Sequence, residues 1–382
     1  MKPLSALKFF KENKRKALVS FIVLIFTVCA ISLITILINS MTGTVNDVNL
    51  KPFEYFSCVY PMDGEFFLKD SVVEKLKASK DVEKLIPADI GNTMMNLSIG
   101  GNTSVPVAFM DKKDTQMLID KMDDKVTEGR LPENGTNEVA VHWRILANKK
   151  LKVGDTMGSF KDKDEFLSGE YKIVGKLDGP NIIFVGSESY KQKQLKATNQ
   201  SDKPTGYLVL PKEGHRENLN KLLSSYDKSE ASIMTYDEMK SFMDKVMKGL
   251  NSTIIAIILI VIFILSISVG ALMYVIYIQR SDEFGILYAM GYRRKYIRNL
   301  IIKEIMSLNV ICWTVGLIFT YGVVFLLNEL VYNPKGDILS MFSLNVLGYT
   351  LIIPVMVGLF SILPIAMRLR KWDPVAVIER RE

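Results

Sequence analysis

Four stretches of this chain contain no Asp, Glu, Lys or Arg: Ala17–Asn46, Gly249–Gln279, Ile305–Asn328 and Ile338–Met367. Each exceeds the roughly 20 residues that an α-helix needs to cross a ~30 Å hydrocarbon core. Buried helices of water-soluble proteins seldom run that far without a charge. The pattern therefore predicts an α-helical membrane protein with transmembrane helices over residues 17–46, 249–279, 299–328 and 338–367. Because residues 47–248 separate the first from the other three, the arrangement is one plus three.

Charge sets the expected orientation, since loops rich in Lys and Arg stay inside. Residues 1–16, the 280–298 segment and the 368–382 tail carry 16 basic and 6 acidic side chains, a net +10, whereas the whole chain carries +7. These three pieces are expected in the cytoplasm, and residues 47–248 with the short 329–337 loop outside the membrane of a bacterial cell. The pI near 9.0 is thus a topology signal. The external part sums to a slight negative charge, so no nucleic-acid partner is expected. The first apolar run is too long for a cleaved leader and lacks a small-residue cleavage site, which makes it an uncleaved anchor.

The external segment is large enough for its own core and reads as mixed α+β. Helices are expected over Ser71–Ser79, His142–Lys149, Glu217–Ser225 and Asp237–Lys248, the last running into the second span. Strands are expected at Leu97–Ile99, Val105–Phe109, Glu138–Val141, Tyr171–Val174, Ile182–Val185 and Tyr207–Leu210, and polar loops at Ser159–Gly169 and Gly186–Pro204. Cys29 and Cys312 fall in predicted spans, leaving Cys58 without a disulfide partner outside.

Enzyme signatures are missing. The two histidines, His142 and His215, have no cysteine near them, and no metal site is expected. There is no nucleophile elbow and no phosphate-cradling P-loop, so any ATP must be hydrolysed by another polypeptide. Within the spans only Ser, Thr and Asn supply polarity apart from Lys303 and Glu304, which are expected at the interface. Small residues allow close helix approach: Ser266 and Gly270 in the second span, Gly316 and Gly322 in the third. Such positions suit helix packing or a dimer interface. Pro354 and Pro364 should kink or end the fourth helix.

Between the second and third apolar runs lies a compact charged strip, QRSDEFGILYAMGYRRKYIRNLIIK, from Gln279 to Lys303. It is expected to form a short helix with Phe284, Leu287 and Tyr288 on one side, and with Asp282, Glu283 and Arg293–Lys295 available to water or a partner. The strip resembles the R-x-x-E-[FI]-G-[IL]-x-x-A-x-G segment of FtsX/MacB-type ABC transporter permeases, through Arg280, Glu283, Phe284, Gly285, Ile286, Ala289 and Gly291. Leu363-Pro364 and Asp373-Pro374 resemble the ending of that family. Gly129, Arg130, Pro132, Glu138, Val139, Gly154, Asp155, Val174 and Gly175 follow the order of the MacB-like extracytoplasmic domain. No ATPase domain is fused to the sequence, so the resemblance is to a stand-alone permease subunit.

The resemblance implies that the strip is a coupling helix docked in a groove of a separate ATP-binding subunit, which uses ATP with Mg. Arg280, Glu283, Phe284, Gly285, Leu287, Gly291 and Tyr292 would carry that coupling. It also implies a dimer with a second copy or a similar permease, external domains that move as levers by mechanotransmission, and export of an amphipathic peptide, antibiotic or lipid. An extracytoplasmic adaptor protein remains an open partner. The alternative within the family is an FtsX-like signal relay that activates a cell-wall hydrolase outside the membrane.

Overall fold

The charge-free runs fold as long helices, and the mixed segment between the first two of them folds as a sheet. The computed structural model describes residues 14–62, 65, 67–97, 100–159, 165, 167–188, 190, 204–227, 229–340 and 344–370. In chain order, α1 (Lys14–Asn49) leads through a 3-10 turn at Lys51–Glu54 into β1 (Ser57–Tyr60), α2 (Asp70–Ala78), β2 (Val82–Asn96), β3 (Asn102–Met110) and α3 (Lys112–Lys121). Next come β4 (Lys125–Gly129), β5 (Glu138–His142), α4 (Trp143–Lys149), β6 (Thr156–Met157), β7 (Tyr171–Asp178) and β8 (Phe184–Ser187). Then follow β9 (Gly206–Pro211), α5 (Arg216–Ser224), β10 (Ser232–Met234), α6 (Tyr236–Ile278), α7 (Ser281–Ala289), α8 (Arg294–Leu327) and α9 (Leu344–Arg370).

Among the described residues, four helical segments are long and apolar enough to cross a membrane: Phe21–Asn49, Tyr236–Ile278, Arg294–Lys335 and Val346–Met367. They belong largely to one compact unit, Met1–Asn39 with Leu250–Asn328 and Leu339–Glu382. Its core joins Leu24, Val28 and Ile31 of α1 to Ile262 and Met273 of α6, Cys312 of α8 and Val357 of α9. Outward faces are equally apolar: Ile260, Phe263 and Ile264 of α6, Ile311 and Ile318 of α8, and Leu359 and Leu363 of α9 are exposed. In water such a surface would aggregate, and in lipid it is the ordinary solvent-facing side. α9 runs through both Pro354 and Pro364, so neither proline ends it.

The second unit comprises Ser40–Gly249 and Glu329–Ile338. Among the described residues its sheet has strand order β10-β1-β9-β2-β3-β8-β5-β7-β4, with β6 on β7. β2 organises it. Its first half pairs with β9 from Val82↔Pro211 to Ala88↔Gly206, and its second half pairs with β3 from Asp89↔Phe109 to Asn96↔Asn102. Fully buried Ile86, Ala88 and Leu208 fill the core on one side, and Val105, Val107, Phe109, Val139 and Ile173 another.

Of the strand expected at Leu97–Ile99, the described residue Leu97 lies past the end of β2 and bonds within the β2–β3 connection instead. Leu97 accepts from Gly100 and donates to Gly101, both at positive φ, while Ser98 and Ile99 lie outside the described residues. Also outside them are much of the two expected polar loops (160–164, 166, 189 and 191–203), the N-terminal residues 1–13 and the 371–382 tail with Asp373-Pro374.

Candidate functional site

The strip between the second and third apolar runs forms α7, and its two ends are fixed by local chemistry. At the C-terminal end the amide of Gly291 donates to the Tyr288 carbonyl and that of Tyr292 to the Leu287 carbonyl. Those two bonds are the Schellman motif, which requires a left-handed residue just past the helix. Gly291 supplies it at φ +91°. The chain then turns through Tyr292 and Arg293 into α8. The Tyr292 and Tyr296 rings stack across that turn, 5.2 Å apart.

At the N-terminal end stands Arg280, only 2% exposed. Its Nη1 donates to Glu304 Oε2 on α8 at 2.8 Å, and its Nε to Glu283 Oε2 on α7 at 3.0 Å. The guanidinium also lies over the rings of Tyr277 (5.3 Å) and Phe284 (5.2 Å), and the Tyr277 hydroxyl lies 3.5 Å from Glu304 Oε2. Glu304 is 5% exposed. A buried cation between two carboxylates and two aromatic faces ties the last turn of α6, the first turn of α7 and α8 to one point. Below it Phe284 and Leu287 pack with Ile297, Ile301, Ile305 and Ile365.

This placement corrects part of the expected surface. Arg280, Phe284 and Leu287 are turned inward and hold α7 in place, Gly285 is buried with them, and Glu304 is the buried partner of Arg280. What α7 offers outward is apolar: Ile286 is 55% and Met290 58% exposed. Glu283 is half-exposed beside them, as are Tyr288 and Tyr292. Arg294 lies over the Tyr288 ring at 5.6 Å. The side chain of Asp282 lies outside the described residues.

The small residues have distinct surroundings. A Cβ on Gly270 would sit 2.6 Å from Cβ of Phe360 on α9, and one on Gly316 would sit 2.8 Å from Cβ of Val28 on α1. Both glycines therefore allow helices of this chain to approach each other. Ser266 is fully buried on the Gly270 side of α6. A Cβ on Gly322 would meet nothing within 4 Å, so this position faces open space.

A second constellation, in the sheet-bearing unit, leaves no sign in the sequence. Arg144 on α4 donates through Nε to the Gly336 carbonyl (2.8 Å) and through Nη2 to Asp337 Oδ1 (3.2 Å) and to Thr44 Oγ1 (3.2 Å). Thr44 in turn donates to Asp337 at 3.0 Å, and Asp47 lies 3.5 Å from the guanidinium. Gly336 sits at φ +69° with its Cα against Arg144, where a Cβ would come within 2.2 Å of the Arg144 carbonyl oxygen. One arginine thus clasps the loop that follows α8 and the C-terminal turns of α1. Single Arg and Asp residues hold too little pattern to reveal this. For Glu304 a signal does exist, because a lone acid beside an apolar run calls for a partner.

Residues 255–374 match the FtsX-like permease C-terminal family model, which spans most of α6 and all of α7–α9. The hemin transport system permease protein HrtB of Staphylococcus haemolyticus is 26% identical over 66% of this chain and 66% of its own length, just under two thirds. That of Staphylococcus epidermidis is 22% identical over 97% of both chains. Among solved structures, the periplasmic region of MacB from Actinobacillus actinomycetemcomitans aligns at 14% identity, covering 52% of this chain and 95% of that one, with a TM-score of 0.29. The extracellular domain of the noncanonic ABC-type transporter YknZ from Gram-positive bacteria aligns at 12% identity, covering 47% and 99%, with a TM-score of 0.27. The segment that carries the buried Arg280–Glu304 pair thus resembles the FtsX-like permeases of ABC transporters, and the chain aligns over nearly its whole length with relatives named as transport permeases.

Proposed function

We propose that the chain is the membrane subunit of an ABC exporter and that α7 is its handle for a separate ATP-binding subunit. The observation that carries this reading is the division of labour on α7. One face is locked to α8 by Arg280, Glu304, Phe284 and Leu287, and the other presents Ile286 and Met290 to a partner. An exposed apolar pair on a rigidly held short helix suits insertion into a groove, and the lock passes any displacement to the third span. A chain with four spans is too small to frame a pore alone, so two copies, or this chain and a similar permease, would work together with ATP and Mg bound by their partners. In this reading the sheet domain lies outside the cell membrane, both termini lie inside, and the substrate is expelled by mechanotransmission.

The curated relatives are named for hemin transport. Hemin is amphipathic, as the exporter reading requires, and is the first substrate to test. Deleting the gene should lower the hemin concentration that halts growth severalfold, with restoration by the intact gene. Unchanged hemin and peptide tolerance combined with defective cell separation would support the signal-relay alternative instead.

A further inference from the structure

Protein interiors hold few voids larger than a water molecule, yet the sheet-bearing unit contains a cavity of about 320 Å³. Its inner wall is apolar and buried: Phe53 after α1, Ile183 just before β8, Val185 on β8, Leu208 on β9 and Met239 at the start of α6. Its rim is polar, with exposed Asn92 on β2 and Ser104 on β3, and with Asn49 at the end of α1. No Asp, Glu, Lys, Arg or His is among the described residues that line it. Two ionisable groups are present, the Cys58 thiol and the Tyr60 hydroxyl, and burial pushes Cys58 up to about 12 and raises Tyr60 as well. Both are therefore neutral in any physiological medium.

We infer that this cavity is a binding site for a small, uncharged, mainly apolar molecule of about two rings, with one hydrogen-bonding group left at the amide-lined rim. Apolar voids of roughly 150 Å³ stay dry and take up benzene, and twice that volume holds a two-ring compound. Polar groups few in number and gathered at the mouth fix the orientation of such a ligand. The cavity has no cation to meet the carboxylates of hemin and no room for a tetrapyrrole, so it is a different site from any hemin path. Its walls are drawn from the segments by which the chain enters the sheet after α1 and leaves it for α6, so an occupant would bear on both passages. Occupancy of the cavity is independent of the export reading and is tested by binding alone.

Benzophenone has two rings and one carbonyl acceptor and cross-links to neighbouring C–H bonds on irradiation. The full-length protein in lipid nanodiscs, irradiated with benzophenone and mapped by mass spectrometry, should show saturable labelling of the peptides holding Phe53–Tyr60 and Met234–Met239. Excess diphenylmethane should reduce that labelling at least fivefold, and benzophenone-4-carboxylate should not compete. Ala108→Phe, which fills the cavity from β3, should reduce it similarly. Ser104→Trp, at an exposed rim position, should do the same by blocking the mouth, and keeps the test decisive should Ala108→Phe fail to fold. Labelling that does not saturate, that the carboxylate suppresses equally, or that survives both a folded Ala108→Phe and Ser104→Trp would overturn the inference.

Discussion

At the residue scale Arg280 decides how α7 is held. Its motif position suggests a charge offered to a partner, yet its guanidinium is buried against Glu304, 24 residues further on. Removing one member of a buried pair leaves the other charge without compensation, which costs about 3–5 kcal/mol. Arg280→Ala and Glu304→Gln should each abolish substrate export and lower the thermal midpoint of the purified protein. The double apolar variant Arg280→Met with Glu304→Leu should recover the midpoint, because an apolar pair of similar volume removes the desolvation cost. If either single variant keeps both export and thermal stability, the pair does not hold α7. Gly291 differs, because the motif marks the position for coupling while the geometry gives it a local reason, a Schellman turn at φ +91°.

At the element scale α7 has one packed face and one exposed face, and substitutions on them should separate. Phe284→Glu places a charge among Tyr277, Ile301 and Ile305 and should destabilise the protein, since truncation of a buried Phe alone costs about 3–5 kcal/mol. Ile286→Glu, on the exposed side, should leave the protein within about 0.5 kcal/mol of its starting stability, as surface changes do. It should nevertheless reduce recovery of the ATP-binding subunit in pull-downs at least tenfold. Equal recovery with both variants would place the docking face elsewhere.

Legibility differs in the same way from element to element. The long helices are plain from charge-free runs, because length and apolarity alone decide them. Short elements with strong alternation or caps, such as β5 and α4, are also readable, His142 accepting from the Arg144 amide at the start of α4. β2 is not, although it is the longest strand. Pro87, Gly91 and Asn92 weaken its β signal, and its stability comes from pairing with β9 and β3 together. The turn at Leu97 imitates a strand for the same reason, since local apolarity says nothing about which residue must bend. For the site, the position of α7 and the shared face of Phe284 and Leu287 are readable, but the burial of Arg280 is not. That Arg280 points inward depends on Glu304, 24 residues further on.

At the scale of the whole molecule, the proposed export function requires a path from an ATP-binding partner to the sheet domain. α7 begins it. In the sheet-bearing unit the Arg144 clasp gathers the loop after α8 and the end of α1, with Asp337 193 residues away in sequence on one side and Thr44 100 away on the other. Such long separations leave no periodic trace, which is why only the folded chain reveals them. Arg144→Ala should cut export at least tenfold while ATP-binding subunit recovery stays unchanged. Export at the original rate would show that the loop after α8 carries no force.

The export reading depends on the exposed side of α7 being the contact with a separate motor subunit. That contact can be trapped by placing a single cysteine at position 286 or 290 in a chain whose three native cysteines are replaced, then cross-linking membranes that contain the ATP-binding subunit. Ile286→Cys and Met290→Cys should form an adduct with that subunit whose yield changes at least twofold on adding ATP with Mg, whereas Ile318→Cys on the outward face of α8 should form none. An intact complex that gives no adduct at either position of α7 would contradict this assignment.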